Sequence, residues 1–272
     1  MLNNHSHFAL LELYLNQSEQ LDWVLATIVN KAGSSYRSPG AIMLVNSVGQ
    51  AQGLVSGGCL EANIVLHAKK VFDDKQAHYI EYDMREEEDL AWQLGIGCGG
   101  MVRILLQPVN LANDYLKLDE LHRLLEQRQS SEYHQQISQE MPVNKVVPLT
   151  EGTPRYASNL HTDDDTPIFV QQLNPEPLLA IFGGGVDAKP VVAIASELGW
   201  QVLLIDHRMG YAKTAFFSKA NQIIRLPCDQ LEGAKWLTQI DAALVLTHNI
   251  QLDAAALKLL QKSSTKYLGL LG

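Results

Sequence analysis

The sequence predicts an α/β protein in two parts: a small mixed α/β N-terminal domain, then a Rossmann-like parallel sheet with helices on both faces. Three observations carry that prediction. After Pro177, apolar runs of strand length alternate with helical spacings, as in a parallel sheet covered on both sides. The first of these strands runs into Gly183-Gly-Gly-Val-Asp-Ala188, a G-x-G-x-x-A turn between strand and helix. Before Pro177 the texture differs: strands follow one another through short turns and are interrupted by glycine clusters.

The elements follow in order. His7 to Leu15 is Leu-rich enough for a short helix, and Trp23 to Asn30 reads as a buried strand. Lys31 to Gly40 is a long turn. Ala41 to Val45 and Ala51 to Val55 are strands joined through Gly49. Gly57-Gly58 breaks the pattern, and Cys59 to Phe72 shows helical spacing at Leu60, Ile64 and Val71. A strand near His78 to Tyr82 leads to the acidic run Glu86 to Asp89, read as a solvated face. Gly95-Ile-Gly-Cys-Gly-Gly100 then opens a strand from Met101 to Gln107. Leu118, Leu121, Leu124 and Leu125 lie on one side of a helix expected over Tyr115 to Gln129. Ser130 to Asn174 is polar and broken by prolines, so it reads as strands and loops ending in a linker. The domains are therefore expected at 1–174 and 175–272. Further strands are expected at Leu178–Phe182, Gln201–Ile205, Ile223–Arg225, Ala242–Leu246 and Tyr267–Leu271. Helices are expected at Val186–Leu198, Leu231–Gln239 and Leu252–Gln261. A sheet that stops directly after a strand suggests a further C-terminal piece.

Composition excludes several classes. The 272 residues carry 21 basic and 30 acidic side chains, a net charge of −9, without the basic tracts that grip nucleic acid. No apolar run approaches the ~20 residues of a membrane span, and the start lacks a signal peptide's basic and apolar regions. Cys59, Cys98 and Cys228 are too few for a disulfide framework, so a reducing, cytoplasmic setting is expected.

Two constellations carry chemistry. In the C-terminal half, Gly183 permits the tight turn, Gly185 lets a diphosphate approach the helix N-terminus, and Ala188 allows close helix-to-strand packing. Asp206, ~20 residues on, stands where a carboxylate would accept a ribose hydroxyl, though Arg208 beside it blurs the choice between NAD and NADP. His248 follows the strand at Ala242–Leu246, at the end where such sheets bind ligands. The bland alternatives are a glycine turn that binds nothing and a solvent-facing histidine.

In the N-terminal half, Ser56-Gly57-Gly58-Cys59-Leu60-Glu61 places Cys59 in the first turn of a helix capped by Gly58, with Glu61 near its third position. A thiol there feels the positive end of the helix dipole, and the same N–H groups could hold an anion. Cys98 and Gly99 lie in a glycine-rich loop able to form an anion-binding nest. Ser34, Ser35 and Arg37 add hydroxyls and a guanidinium suited to an oxyanion. Free cysteine is often only a small buried hydrophobe, and Cys228 is read that way. Zinc-type Cys/His spacing and a nucleophile elbow are both missing from the sequence, so neither a metal ligand set nor a catalytic residue is predicted.

These stretches resemble the XdhC/CoxI family of molybdenum-hydroxylase accessory proteins. The matching segments are Gly33 to Met43, Val55 to Glu61, Gly95 to Gly100, Phe182 to Pro190, Leu198 to Val202, Asp206-His-Arg208, Thr247-His-Asn249 and Tyr267 to Gly272. The resemblance implies an XdhC/CoxI domain followed by a Rossmann-like domain. It implies a chaperone that binds molybdenum cofactor (molybdopterin), protects it during sulfuration by a cysteine desulfurase, and delivers it to a xanthine dehydrogenase-type apo-hydroxylase. The family's cofactor-binding cysteine falls on Cys59. Asn249 stands where the family often has Asp, and the family's continuation past Gly-Leu-Leu-Gly is not present here. A homodimer would be one way to shelter a labile cofactor. The competing reading is an NAD(P)-dependent oxidoreductase or nucleotide sensor built on Gly183, Gly185, Ala188 and Asp206. A third is that the Rossmann half binds the pterin or nucleotide part of the cofactor.

Overall fold

The computed structural model describes residues 6–83, 100–138, 142–150, 152–154, 158–163 and 166–271. They fall into two compact units that divide after Pro175.

The first unit is built around strand β1 (Trp23–Ala32). It is the middle of an antiparallel sheet with β2 (Ile42–Asn46), β3 (Ala51–Gly53), β4 (His78–Asp83) and β5 (Met101–Val109), in the order β3-β2-β1-β5-β4. Trp23 to Val29 are buried without interruption, because here both faces of an antiparallel sheet are covered, where one is commonly wet. Val24, Ala26 and Ile28 face helix α2 (Glu61–Asp74), whose Ile64, Ala68 and Val71 complete that core. Trp23 and Leu25 face the other way, against Leu11 of α1 (His7–Gln17) and Leu121 of α3 (Leu118–Glu126). A second antiparallel sheet shares that side: β6 (Ser131–Gln136), β7 (Lys145–Pro148), β8 (Asn159–Asp163) and β9 (Thr166–Leu173), ordered β7-β6-β9-β8. Its Phe169 packs on Val29 and Leu105.

The two sheets also meet through a buried polar network. Gln135 donates to Thr27 Oγ1 at 2.9 Å and to Gln107 Oε1 at 3.1 Å. Asn144 donates to Gln107 Oε1 at 3.0 Å and Tyr133 Oη at 2.8 Å, while its oxygen accepts from Gln107 Nε2 at 3.1 Å. Such a network fixes how one sheet sits on the other, since any slip leaves buried amides without partners.

The second unit is a five-stranded parallel sheet of β10 (Leu178–Phe182), β11 (Gln201–Ile205), β12 (Gln222–Ile224), β13 (Ala242–Val245) and β14 (Tyr267–Leu270). Its order is β12-β11-β10-β13-β14. Leu178, Ala180 and Phe182 point to α5 (Ile250–Leu260), and Leu179 and Ile181 to α4 (Ala188–Glu197). This is the α/β arrangement expected, with helices on both faces. Strand order reverses between β10 and β13, which puts a crevice at their carboxyl ends.

Several elements differ from expectation. The helix expected from Cys59 begins at Glu61, because Gly58 takes φ +105 and Leu60 occupies the cap position. The helix expected from Tyr115 begins at Leu118. Asn110 and Asn113 cap each other, and Asp114 to Lys117 take a left-handed run before it. The helix over Leu231–Gln239 is two short turns, Cys228–Leu231 and Lys235–Thr238, separated by Gly233 at φ +81. The acidic run Glu86–Asp89 lies outside the described residues.

Asn144→Ala removes one hydrogen bond from Tyr133 and one from each end of the Gln107 amide between the two sheets. It should cost about 2–4 kcal/mol, read as a fall in the urea midpoint with unchanged slope. A loss below ~0.5 kcal/mol would mean the network does not hold the sheets together.

Candidate functional site

The loop after β3 is organised by two side chains. The Glu61 carboxylate accepts the N–H groups of Val55 at 3.2 Å and Ser56 at 2.8 Å, and the Ser56 hydroxyl at 2.5 Å. Ser56 Oγ in turn accepts from the N–H groups of Gly58, Cys59 and Leu60 at 3.2, 3.1 and 3.0 Å. The N–H groups read from sequence as free for an anion are therefore engaged within the loop. Cys59 sits one residue before the cap, half-buried, with Sγ 3.6 Å from Ser56 Oγ. Burial pushes the Glu61 carboxyl upward, but the bonds from the Ser56 hydroxyl and from backbone N–H groups outweigh it and hold the group below its ordinary value.

Two further segments meet this loop or its neighbour. The Tyr36 ring lies over Gly57, so a Cβ there would touch its Cδ2 at 3.5 Å. Gly100 lies against the backbone of Ser34: a Cβ there would stand 1.9 Å from the Ser34 carbonyl oxygen. Thus Ser34, Ser35, Tyr36 and Arg37, the Gly57–Cys59 turn, and Gly100 gather at one end of the first sheet. Ser35 donates to the Arg37 carbonyl at 2.8 Å. The Arg37 guanidinium has no hydrogen-bond or ion-pair partner among the described residues. Cys98 and Gly99 lie outside the described residues.

In the second unit, Gly183 takes φ +113, and a Cβ there would stand 2.5 Å from the Leu246 carbonyl, so only glycine fits the turn. Ala188, the first residue of α4, is fully buried in the core it forms with the sheet. Above Gly185 the space is open: a Cβ would meet only Tyr211 Cε1, at 4.0 Å. Asp206 sits differently from expectation. It is buried and accepts from Gly184 N–H at 2.8 Å, Arg208 N–H at 3.0 Å, and Arg208 Nε and Nη2 at 3.0 and 2.8 Å. Burial raises its pKa, but Arg208 and the Gly184 N–H hold it below the ordinary value. Arg208 also donates to the Thr247 carbonyl at 3.0 Å and stacks on Tyr211 at 3.8 Å. The carboxylate expected to meet a ribose is a brace between three loop ends.

His248 takes φ +53, is exposed, and pairs with Asp187 at 2.6 Å, joining the loops after β13 and β10. Asn249 caps α5 by accepting from Gln251 and Leu252 N–H, and the Thr247 hydroxyl bonds Asp253. Cys228 packs against the sheet core as a small hydrophobe, as expected. With Phe182, Leu226, Thr247 and Leu252 it lines a largely apolar cavity of about 200 Å³ at the carboxyl end of the sheet. Burial and the neighbouring Asp229 push its thiol up. Sequence reasoning missed Ser56, Tyr36 and this cavity; a serine five residues before a glutamate was the one available signal.

Comparison with known proteins gives the same picture along the chain. Residues 17–83 match the XdhC and CoxI family, and residues 179–272 match the XdhC Rossmann domain. A probable xanthine dehydrogenase subunit of Bacillus subtilis is 32% identical over 265 residues, covering 93% of this chain and 80% of the relative. The molybdenum cofactor insertion chaperone PaoD of Escherichia coli is 25% identical over 254 residues, covering 92% of this chain and 66% of PaoD. The crystal structure of a xanthine dehydrogenase from Bacillus halodurans superposes with a TM-score of 0.81 at 30% identity, covering 98% of this chain and 82% of that one.

Because the folded pKa of Glu61 lies below 4.5, its bonds are complete above the unfolded value and vanish as pH falls through the folded one. The Val55 and Ser56 amide proton resonances should titrate with a midpoint below 4.5 and become flat in Glu61→Gln. A midpoint at or above that value would count against the carboxylate as the loop's anchor.

Proposed function

The chain belongs to the XdhC and CoxI family, and from that footing we propose that it is a molybdenum cofactor insertion chaperone for a xanthine dehydrogenase-type apo-hydroxylase. The observation that carries the reading is the gathering of the 34–37 segment, the Gly57–Cys59 turn and Gly100 at one end of the first sheet. That end offers a half-buried thiol and a guanidinium without a partner among the described residues, the donor set for a cargo with a phosphate and a thiophilic metal centre. The PaoD relative's name supports the same reading.

In this proposal Cys59 is the thiol that faces the cargo, and Arg37, Ser34 and Ser35 supply polar contacts around it. Cys98 and Gly99 lie outside the described residues and stay candidates on their sequence alone. The protein holds cofactor while a cysteine desulfurase sulfurates it, and passes it on without catalysing a reaction itself. Homodimerisation would shield the cargo further. The setting is the cytoplasm; no helix among the described residues is long and apolar enough to cross a membrane.

An NAD(P)-linked oxidoreductase is the poorer fit. Its ribose contact needs a carboxylate free to accept, and both Asp206 oxygens are engaged by Arg208 and Gly184. The open space over Gly185 favours instead a role for the second unit in holding part of the cargo, with His248 beside it.

Purification with cofactor tests the proposal. Cys59→Ala should retain at least tenfold less molybdopterin per chain than wild type, by fluorescence of the oxidised pterin, with its circular dichroism unchanged. Neither form should transfer hydride to NAD. Undiminished retention by the variant would remove Cys59 from the site.

A further inference from the structure

A second cavity, about 390 Å³, opens beside the 33–40 loop of the first unit. It is lined by His7, Arg37, Gly40, Ser158 and Gln171, among others, and none of the described residues that line it is acidic. In a chain of net charge −9 that is an exception. Three features point to a ligand. The Arg37 guanidinium has no partner among the described residues. Gln171 is 1% exposed; its Nε2 has no hydrogen-bond partner among the described residues, and its Oε1 faces Gly40. A buried donor left in this way costs stability unless something completes it. The third feature is Gly40, at φ +97. A Cβ there would stand 2.6 Å from Gln171 Oε1 and 3.0 Å from Ser158 Oγ, so the missing side chain keeps open the space on which amide and hydroxyl converge.

The surrounding fold holds this arrangement still. Gly40 N–H donates to the Ile28 carbonyl at 2.8 Å, and the Gly40 carbonyl accepts from His7 Nε2 at 2.9 Å. Burial lowers the His7 pKa against that bond, and the Arg37 charge lowers it further, so at neutral pH the ring is uncharged and spends its Nε2 proton on Gly40. Gln171 is fixed opposite Tyr133 by the β6–β9 register. At the mouth stands the Tyr36 ring, 65% exposed, whose other contact is the Gly57 turn leading to Cys59.

We propose that this cavity seats the phosphate of a phosphate monoester whose organic part is a planar heterocycle resting on Tyr36. The Arg37 guanidinium and the Ser158 hydroxyl donate to phosphate oxygens, and Gln171 Oε1, the amide atom that faces Gly40, accepts the proton of a monoprotonated phosphate. An exposed tyrosine ring at the rim is a stacking platform for a flat heterocycle. The inference deepens the chaperone reading by naming the group of the cargo that is gripped; it rests on that reading only for the identity of the organic part.

The test uses the full chain and two metal-free probes, inorganic phosphate and neopterin monophosphate, followed by calorimetry. Wild type should bind phosphate, and Arg37→Ala and Gln171→Met should each bind it at least about tenfold more weakly. Without phosphate, Gln171→Met should melt no lower than wild type, because it removes an uncompensated buried donor; a merely structural glutamine would melt lower. Neopterin monophosphate should bind about tenfold tighter than phosphate, and Tyr36→Ala should erase that difference. No phosphate binding by wild type, or equal binding by both variants, would overturn the seat. A pterin ester no tighter than phosphate would overturn the heterocycle. If phosphate behaves as stated while Cys59→Ala keeps its molybdopterin, the seat stands and the thiol's role falls; the reverse result overturns the seat alone.

Discussion

Five backbone N–H groups between Val55 and Leu60 end on two side chains, Glu61 and Ser56. The chain turns from a sheet edge into a helix within a few residues there, and each N–H needs an acceptor. One carboxylate and one hydroxyl supply all five, and the hydroxyl proton itself goes to the carboxylate. The arrangement fixes Cys59 one residue before the cap of α2 rather than within the helix. It also lets Gly57 lie flat under Tyr36, so the 34–37 segment takes its position from the same pair.

The second unit uses the same logic with a different outcome. Asp206 ends β11 and satisfies Gly184, while Arg208 satisfies Asp206 and reaches the Thr247 carbonyl. Three loops at the carboxyl edge are thereby tied to one buried ion pair, and breaking it from either side would leave a buried charge unpaired. A residue type that marks a ribose contact in other sheets is here spent on holding the crevice open. What stays available is the backbone near Gly185 and the exposed His248–Asp187 pair.

Much of this is legible in the sequence, and the boundary is physical. Uninterrupted apolar runs such as Trp23–Val29 and Leu178–Phe182 announce strands buried on both faces, and the glycine turn at 183–188 announces a strand-to-helix crossing. The 130–174 region carries no such signal. Ser131, Gln135, Asn144 and Gln171 are polar yet buried; Gln135 and Asn144 find their partners on other strands, which sequence periodicity does not show. The Rossmann turn can be read from its glycines while the work done by Asp206 cannot, since only the fold shows that Arg208 curls back onto it. Ser34, Ser35 and Arg37 stand out by their chemistry, but Gln171 and Ser158 have no motif to mark them. They join Arg37 only when β8 and β9 are laid beside the 33–40 loop.

The contrast between spent and unspent donors sets what the first unit can do. Around Cys59 the N–H groups from Gly58 to Leu60 are already engaged, so the turn is rigid before any ligand arrives and costs little ordering when one does. Around Gly40 the Arg37 guanidinium is unspent among the described residues, so that is where polar binding energy is stored. The store holds one fixed positive charge and neutral donors, inside a chain whose overall charge of −9 opposes an incoming anion. Attraction therefore acts only at hydrogen-bond range, and salt screens it less than a long-range field. A carrier has to hold an anion in place and still let it go. A seat with one guanidinium, flanked by neutral amides and hydroxyls, meets both demands better than a cluster of basic residues would.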